Sequence, residues 1–428
     1  MRTPATYARN AKARLSELFR ALGPGVITGA SDDDPSGIAT YSQAGAQTGY
    51  GLLWVVVLSF PMMVVIQYIS ALIGRVTGAG LAANMKTHYP KWVTSSVVLL
   101  LLAANTVNIG ADISAMGEAA SLVLGGHATV YAIVLAALSV LLQVFIPYNK
   151  YVFVLKWLSL VLFAYVAVVF SVHVPWRTAL KDSILPQVAF DGSYMATIIA
   201  VLGTTISPYL FFWQASEEAE EETDDPAAHP LTGAPEEAPS QIRRIKIDTV
   251  FGMAFSNLIA FFIIISTAVT LHAHGVTDIE TAAQAAEALR PIAGELTFLL
   301  FALGIVGTGL LALPVLAGSA AYAIGELFDW QVGLEKKPSE AKGFYGVLAA
   351  VTLVGMLIIF MGINPIKALY WAAVINGLAA VPIMVIMMLM SSNAGVMGKF
   401  TISRRTKIFG WISTVAMLAA AIGLIVTL

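Results

Sequence analysis

The sequence predicts an all-α, polytopic membrane protein with eleven transmembrane helices arranged as two related halves. Of its 428 residues, 58% are hydrophobic and only 12% are charged, which excludes an ordinary soluble protein. Apolar runs of about 20 residues, long enough to cross a ~30 Å hydrocarbon core as a helix, recur along the whole chain. Two of these runs carry polar breaks at corresponding positions, which is typical of an inverted repeat.

The apolar runs follow one another with short connections, so we expect a single membrane domain. They lie near Gly23–Thr48, Leu52–Gly74, Val93–Leu124, Val130–Ile146, Val152–His173, Tyr194–Ala215, Val250–Leu271, Leu296–Ala323, Gly346–Met361, Ile366–Met390 and Ile408–Leu428. The sequence lacks the alternating amphipathic strands of an outer-membrane barrel, which favours helices. Residues 1–22 are basic and polar without the apolar core of a signal peptide, which predicts a retained cytoplasmic tail.

The Lys and Arg residues indicate how the helices are oriented. If the N-terminus lies inside, the outside segments hold only four of the 24 basic residues, namely Arg177, Lys181, Arg290 and Lys367. This strong bias toward the inside predicts a cytoplasmic N-terminus and an outside C-terminus. The chain has no cysteine, which excludes disulfides and thiolate metal sites. Its short tails favour a bacterial inner membrane.

One long polar insertion, Ser216–Asp248, interrupts the apolar runs. Its first part is acidic and rich in proline, and its end is basic. We expect a solvated, partly disordered cytoplasmic loop, because such acidic stretches rarely form a packed core. The alternative is a funnel that attracts cations to the inner mouth of a pathway.

Two spans are interrupted by polar residues next to a proline. Span 1 reads DDDPSG at Asp32–Gly37, and span 6 reads GTTISPY at Gly203–Tyr209. In lipid, such a break survives only where it faces protein or a water-filled cavity. Because the second break comes five spans after the first, residues 192–390 are expected to repeat residues 23–174 with inverted topology. Residues 407–428 then form an extra helix outside the repeat.

Three consecutive aspartates, Asp32, Asp33 and Asp34, stand at the first break. A charge at the bilayer centre costs about 2.5–3.5 kcal/mol, so the site needs a compensating cation, a proton or water. Carboxylates and freed backbone carbonyls are hard oxygen ligands, which suit Mg²⁺, Mn²⁺, Ca²⁺ or Na⁺. The stretch therefore predicts a site for a cation that is the transported substrate, and no cofactor is expected.

The same residues resemble a known family. GPGVITGASDDDPSGIAT at Gly23–Thr40 resembles the first helix of the Nramp divalent-metal transporters, which carries Asp-Pro-Gly-Asn followed by Ala-Thr. GTTISPYLFFWQAS at Gly203–Ser216 resembles their sixth helix, which carries Ala-x-x-Met-Pro-His. The resemblance implies a LeuT-type five-plus-five inverted repeat with broken helices 1 and 6, and transport by alternating access.

Carried over position by position, the resemblance implies a metal site with altered ligands. Asp34 matches the family's metal-binding aspartate, and Gly37 replaces its asparagine. In span 6, Thr204 matches the alanine that offers a backbone carbonyl, Ser207 replaces the metal-binding methionine, and Tyr209 replaces the histidine. A thioether favours softer transition metals, so its loss leaves a harder, roomier site. This is similar to the Nramp-related magnesium transporter branch and implies partly hydrated Mg²⁺ as substrate, with Mn²⁺ as runner-up.

Span 3 resembles the family's proton-pathway helix but departs from it. Asp112 matches an aspartate of that helix, whereas Asn105 and Ala115 replace two glutamates of proton-coupled members. Span 9, Gly346–Met361, contains no basic residue in place of the family's arginine. We therefore expect uniport rather than proton coupling. Two charges moving inward through 100 mV gain about 4.6 kcal/mol.

Several of these residues have an alternative, purely structural role. Asp34 could cap the second half of its helix, and Asp33 is a further candidate ligand that could pair elsewhere. The hydroxyls of Thr204 and Ser207 could satisfy backbone groups freed by the break. Tyr209 could be a packed aromatic side chain.

A second group of polar residues could line an ion or proton pathway. Asp112 and Glu118 lie about two turns apart on span 3, and Asn376 interrupts apolar span 10. The alternative for all three is hydrogen bonding between packed helices. The histidines all fall in predicted loops or at span ends and are interpreted as surface residues.

Other function classes are weaker. A proton-coupled Mn²⁺/Fe²⁺ symporter would need other coupling residues, and in a sodium-coupled symporter of an organic solute the three aspartates would repel a carboxylate substrate. An intramembrane aspartyl protease needs Gly-x-Gly-Asp, for which the nearest text is IGAD at Ile109–Asp112. We expect a monomer that is not an enzyme, with a divalent cation and the lipid bilayer as partners and no nucleic acid.

Overall fold

The computed structural model describes residues 24–146, 159–186, 188–224 and 229–427, and within these ranges the regular structure is helical. The helices before residue 187 are α1 (Pro24–Asp32), α2 (Pro35–Thr48), α3 (Leu53–Thr77), α4 (Leu81–His88), α5 (Lys91–Leu124), α6 (Ala128–Phe145), α7 (Phe163–Ser171) and α8 (Trp176–Ile184). The helices after it are α9 (Gly192–Thr205), α10 (Pro208–Asp224), α11 (Ala238–Thr270), α12 (Ala282–Glu287), α13 (Arg290–Ala293), α14 (Thr297–Leu327), α15 (Lys342–Met356), α16 (Pro365–Ser392), α17 (Ala394–Met397) and α18 (Arg404–Thr427).

Nine helical stretches in the described ranges are long and apolar enough to cross a membrane, if α9 and α10 are counted as one stretch and α15 is counted with the 3-10 turn that follows it. The broken first span, α1 with α2, and the shorter apolar stretch Leu160–Ser171 correspond to the two remaining predicted spans. Each predicted apolar run thus contains helix, although the exact number of crossings stays a prediction. The predicted tail, residues 1–22, and the start of the predicted fifth span, before Ser159, lie outside the described residues.

Both predicted breaks are present. The first span stops at Asp32 and resumes at Pro35, and the sixth stops at Thr205 and resumes at Pro208. In each case a proline opens the second segment, where its missing N–H is not needed and its fixed φ suits a first helical turn. The local chemistry of Asp-Pro and Ser-Pro therefore determines where the helices restart.

The two breaks lie against each other in the interior. A Cβ added to Gly37 would lie 3.1 Å from Thr204 Oγ1 and 3.2 Å from the Asp32 carbonyl oxygen, so α2 and α9 approach closely at this glycine. Small residues also bring other backbones together, since a Cβ on Gly29 would overlap the backbone of Gly252 on α11. The polar break of the first span is thus enclosed by protein, as the membrane requires.

The prediction of a solvated loop over Ser216–Asp248 was wrong. Helix α10 continues to Asp224 and α11 begins at Ala238, so most of the insertion is helical. Four of its glutamates pair with two arginines, and we call this set the ion-pair layer. Arg75 pairs with Glu222 and Glu237 at 3.1 and 3.4 Å, and Arg244 pairs with Glu218 and Glu221 at 2.5 and 3.1 Å.

The acidic composition of this stretch indicated a solvated loop, because the arginine that pairs with Glu222 is distant from it in the sequence. Arg75 lies on α3, and its side chain is only 2% exposed, with Glu222 3% and Glu218 0% exposed. By the predicted orientation, this layer lies at the inner end of the molecule. It ties α3, α10 and α11 together there.

Candidate cation site

Asp34 stands at the centre of the first break. It is the N-cap of α2, and its Oδ1 accepts hydrogen bonds from Ser36 Oγ and from the Gly37 backbone N–H, both at 2.7 Å. An aspartate at this position satisfies a donor that the start of a helix leaves free. The capping role considered from the sequence is therefore present, and it fixes the orientation of the carboxylate.

The other oxygen of Asp34 faces the neighbouring helices. Asn108 Nδ2 on α5 donates to Asp34 Oδ2 at 3.0 Å, and the Tyr209 hydroxyl on α10 lies 3.5 Å from the same oxygen. That hydroxyl also donates to the carbonyl of Ser31 at 3.3 Å. Tyr209 therefore does more than fill space as an aromatic side chain, because its hydroxyl connects the second half of the sixth span to the broken part of the first.

An amide ladder extends from Asp34 across three helices. Asn108 Nδ2 also donates to Asp112 Oδ2 at 3.1 Å, so one amide bridges two carboxylates. On the other side, Asn376 Nδ2 on α16 donates to Asn108 Oδ1 at 3.0 Å. Of the predicted pathway residues, Asp112 and Asn376 therefore join the site.

Glu118 does not join this network. Its Oε1 accepts from the backbone N–H of Ala282, at the start of α12, at 3.2 Å. The glutamate thus holds a connecting segment against α5 at the opposite end from the ion-pair layer. A part for Glu118 in an ion or proton pathway stays a prediction.

Asp32 and Asp33 belong to a different hydrogen-bonded group. Ser256 Oγ on α11 lies 2.5 Å from Asp32 Oδ2 and 3.2 Å from Asp33 Oδ1. In the described part of the chain, no three His, Cys, Asp or Glu side chains are grouped as metal ligands. The three aspartates therefore divide between two faces of the break, and a direct contact of Asp33 with metal stays a prediction.

At the second break, a side-chain hydroxyl donates hydrogen bonds to backbone carbonyls near the end of α9. Ser207 Oγ donates to the carbonyls of Gly203 at 2.8 Å and Thr204 at 2.9 Å, which is the structural role weighed from the sequence. The side chain of Thr204 faces Gly37 across the junction of the two breaks. A ligand role for Thr204, Ser207 or Gly37 stays a prediction.

The electrostatics of the site are unusual because four carboxylates are buried together with neutral partners. Asp32, Asp33, Asp34 and Asp112 are at most 1% exposed. None of them takes part in the ion pairs found among the described residues. Within the same residues, the buried atoms Asp32 Oδ1, Asp33 Oδ2 and Asn376 Oδ1 have no hydrogen-bond partner. Buried charges of this kind are costly unless a cation or protons compensate them.

Two residues of the site were missed from the sequence. Asn108 could have been found, because it lies four residues before Asp112 and therefore on the same face of a helix. Ser256 had no such signal, since it is one of three serines in α11, and its role depends on where α11 meets the first break.

Comparison with known proteins places the chain among membrane transporters. The family model for Nramp, described as natural resistance-associated macrophage protein-like, matches residues 25–427. The divalent metal cation transporter MntH of Klebsiella pneumoniae (strain 342) is 25% identical over 420 residues, which cover 95% of this chain and 94% of that protein.

The solved structures show the same fold. The manganese transporter of Eremococcus coleocola superposes with a TM-score of 0.78 at 15% identity, over 96% of this chain and 87% of that one. Mhp1, a nucleobase-cation-symport-1 family transporter, gives 0.61 at 12% identity, over 94% and 89%. MhsT in complex with L-phenylalanine gives 0.57 at 16% identity, over 94% and 98%. The LeuT-type fold implied by the family resemblance is confirmed.

Proposed function

The chain belongs to the Nramp family, and from this premise we propose that it carries divalent metal cations across the membrane, with Mg²⁺ as main substrate and Mn²⁺ as a second one. It is an integral, multi-pass membrane protein and a transporter rather than an enzyme. One observation carries the proposal. Four buried carboxylates lie at and beside the first break in two hydrogen-bonded groups, and their partners among the described residues are neutral. A cation of high charge density is the ligand that such a site stabilises.

The donor atoms around Asp34 support a hard metal ion. Its hydrogen-bonded neighbours are the Ser36 hydroxyl, the Gly37 backbone N–H, the Asn108 amide and the Tyr209 hydroxyl, and none offers a sulfur. Gly37 and Ser207 stand where the family has its asparagine and methionine, and from these replacements we infer a site that is wider than the family's and based on oxygen. Mg²⁺ dehydrates reluctantly and keeps several waters, which a wider site accommodates.

The surroundings of span 3 support transport without proton coupling. Asn105, at a position where the family has a glutamate, donates to the Leu316 carbonyl and to Ser319 Oγ, both at 2.8 Å. It packs α5 against α14 as a neutral amide and cannot carry a proton. Ala115, the second replacement, is buried and apolar. The membrane potential then drives the cation inward.

Metal uptake into proteoliposomes tests the proposal. We expect Mg²⁺ uptake, and weaker Mn²⁺ uptake, without acidification of an internal pH dye. Asp34→Asn preserves the shape of the side chain but removes its charge, and uptake should fall to background. Asp329→Asn, at an exposed carboxylate far along the chain, serves as the matched control and should be normal.

Other outcomes of the same assay would contradict parts of the proposal. Mn²⁺ uptake with proton entry and no Mg²⁺ uptake would mean a proton-coupled symporter that uses other residues. Sodium-dependent uptake of an organic solute, with no metal transport, would overturn the proposal altogether. Ser207→Met sharpens the assignment, since a thioether should shift selectivity from Mg²⁺ toward Mn²⁺.

A further inference from the structure

A groove between α3, α11 and α18 lies apart from the cation site. It has a volume of about 410 Å³, and its apolar wall includes Val64 and Val65 of α3, Val250 of α11 and Phe409 of α18. Val250 is 43% and Phe409 58% exposed, so the groove opens sideways toward the space that the bilayer occupies. It joins the extra helix α18 to the helices of the predicted repeat.

Two cations, Lys246 and Arg405, also line this groove. On α11 and α18, each cation lies one helical turn before the apolar residue that follows it, Val250 or Phe409. Both helices begin at the inner end in the predicted topology, so the two charges lie on the inner side of the apolar wall. Lys246 Nζ is 5.4 Å from the centre of the Tyr68 ring, an amphipathic residue typical of a membrane interface.

These two charges have no carboxylate partner among the ion pairs of the described residues. Both side chains are exposed. Arg75 and Arg244, in contrast, are committed to the ion-pair layer nearby. Two uncommitted cations beside an apolar groove complement a negatively charged head with an attached hydrocarbon chain.

We propose that this groove binds one anionic phospholipid of the inner leaflet. The phosphate lies at Lys246 and Arg405, and an acyl chain follows Val64, Val65, Val250 and Phe409 toward the bilayer centre. Basic pockets between transmembrane helices on the cytoplasmic side bind acidic lipid heads in this way. The lipid would hold α18 against α3 and α11, and it does not depend on which cation the protein carries.

Native mass spectrometry of the purified full-length protein in detergent tests the proposal. The protein is titrated with phosphatidylglycerol and, separately, with phosphatidylcholine, and we expect tighter binding of phosphatidylglycerol. Lys246→Gln with Arg405→Gln should weaken its binding roughly fivefold for each charge and about 30-fold together. Arg243→Gln with Lys407→Gln is the matched control. It removes two exposed charges from the same helices outside the groove and should leave binding unchanged.

A second variant tests the apolar part of the groove independently of charge. Val64→Trp fills the groove, and the loss of about two buried methylene groups should weaken phosphatidylglycerol binding about tenfold. Equal losses in the two double variants would mean diffuse surface charge and would overturn the proposal. So would unchanged binding in the Lys246→Gln, Arg405→Gln protein or in Val64→Trp. Melting temperatures without lipid identify any misfolded variant, in which case the single change Lys246→Gln decides the charge question.

Discussion

The two sides of the broken helices are joined by different chemistry. At the end predicted to face inside, the ion-pair layer connects α3, α10 and α11 through Arg and Glu side chains, and the end predicted to face outside differs from it. At the outer end, neutral groups join α2 to α9: Gln47 Nε2 donates to Ser193 Oγ at 2.7 Å, and Thr197 Oγ1 donates to Gln47 Oε1 at 2.7 Å. Thr197 Oγ1 also lies 2.9 Å from the Tyr370 hydroxyl on α16.

This difference implies that the two ends of the molecule differ in how much free energy their opening costs. Removing one partner of a buried ion pair leaves an uncompensated charge and costs about 3–5 kcal/mol. A neutral hydrogen bond contributes only about 0.5–1.5 kcal/mol. We therefore expect the outer side to open more readily than the inner side.

The largest effect should come from breaking the ion-pair layer. Arg75→Met leaves the buried Glu222 without its cation, and we expect the inner end to open more than 100-fold more often, from a cost of about 3–5 kcal/mol. Because the chain has no cysteine, Thr28→Cys on α1 can report opening through its rate of labelling from the inside. Adding Glu222→Leu to Arg75→Met should restore slow labelling, and failure to do so would contradict an electrostatic lock.

A smaller effect is expected from the hydrogen bond that holds the start of α1 against α11. Asp248 Oδ2 on α11 accepts from the Gly25 backbone N–H at 2.7 Å. Asp248→Ala removes a hydrogen bond to a charged group, about 1.5–3 kcal/mol, so labelling of Thr28→Cys should rise about 10- to 150-fold. Asp248→Asn keeps an acceptor oxygen and should lie between this variant and the unmodified chain. Equal rates in all three proteins would show that this contact does not hold α1.

The outer end offers a milder test. Thr197→Val preserves the shape but removes the hydroxyl that contacts Gln47 and Tyr370, at a cost of about 1–2 kcal/mol. Labelling of Thr40→Cys from outside should increase roughly 5- to 30-fold, while Thr197→Ser should label at the original rate. If Thr197→Val increased its labelling rate by a larger factor than Arg75→Met does, the proposed order in which the two ends resist opening would be reversed.

The smallest effect is expected at Glu118. Glu118→Gln keeps an oxygen that can accept from the Ala282 backbone, so uptake should change less than twofold. An uptake assay across external pH provides the check. A large loss of transport or a new pH dependence would mean that Glu118 belongs to the ion pathway after all.

What could be predicted from the sequence follows from how local each signal is. The breaks were predictable because Asp34 and the proline after it determine the backbone next to themselves, and the fold followed from the spacing of the breaks. The ion-pair layer could not be predicted, since Glu222 is stabilised by Arg75, which lies almost 150 residues away in the sequence. Ser256 was missed for the same reason. Asn376 could be predicted only as a polar interruption, because its partner Asn108 depends on how α16 packs on α5.

The contact between Gly29 and Gly252 has a mechanical consequence. Because a Cβ at Gly29 would overlap the Gly252 backbone, the two helices touch main chain to main chain. At this point of contact no side chain lies between the two backbones that could change rotamer during a movement. We therefore expect α1 to separate from α11 as a rigid unit, without rotating about its own axis while the two backbones are in contact. The inner end should then switch between a closed and an open position, without stable intermediate positions.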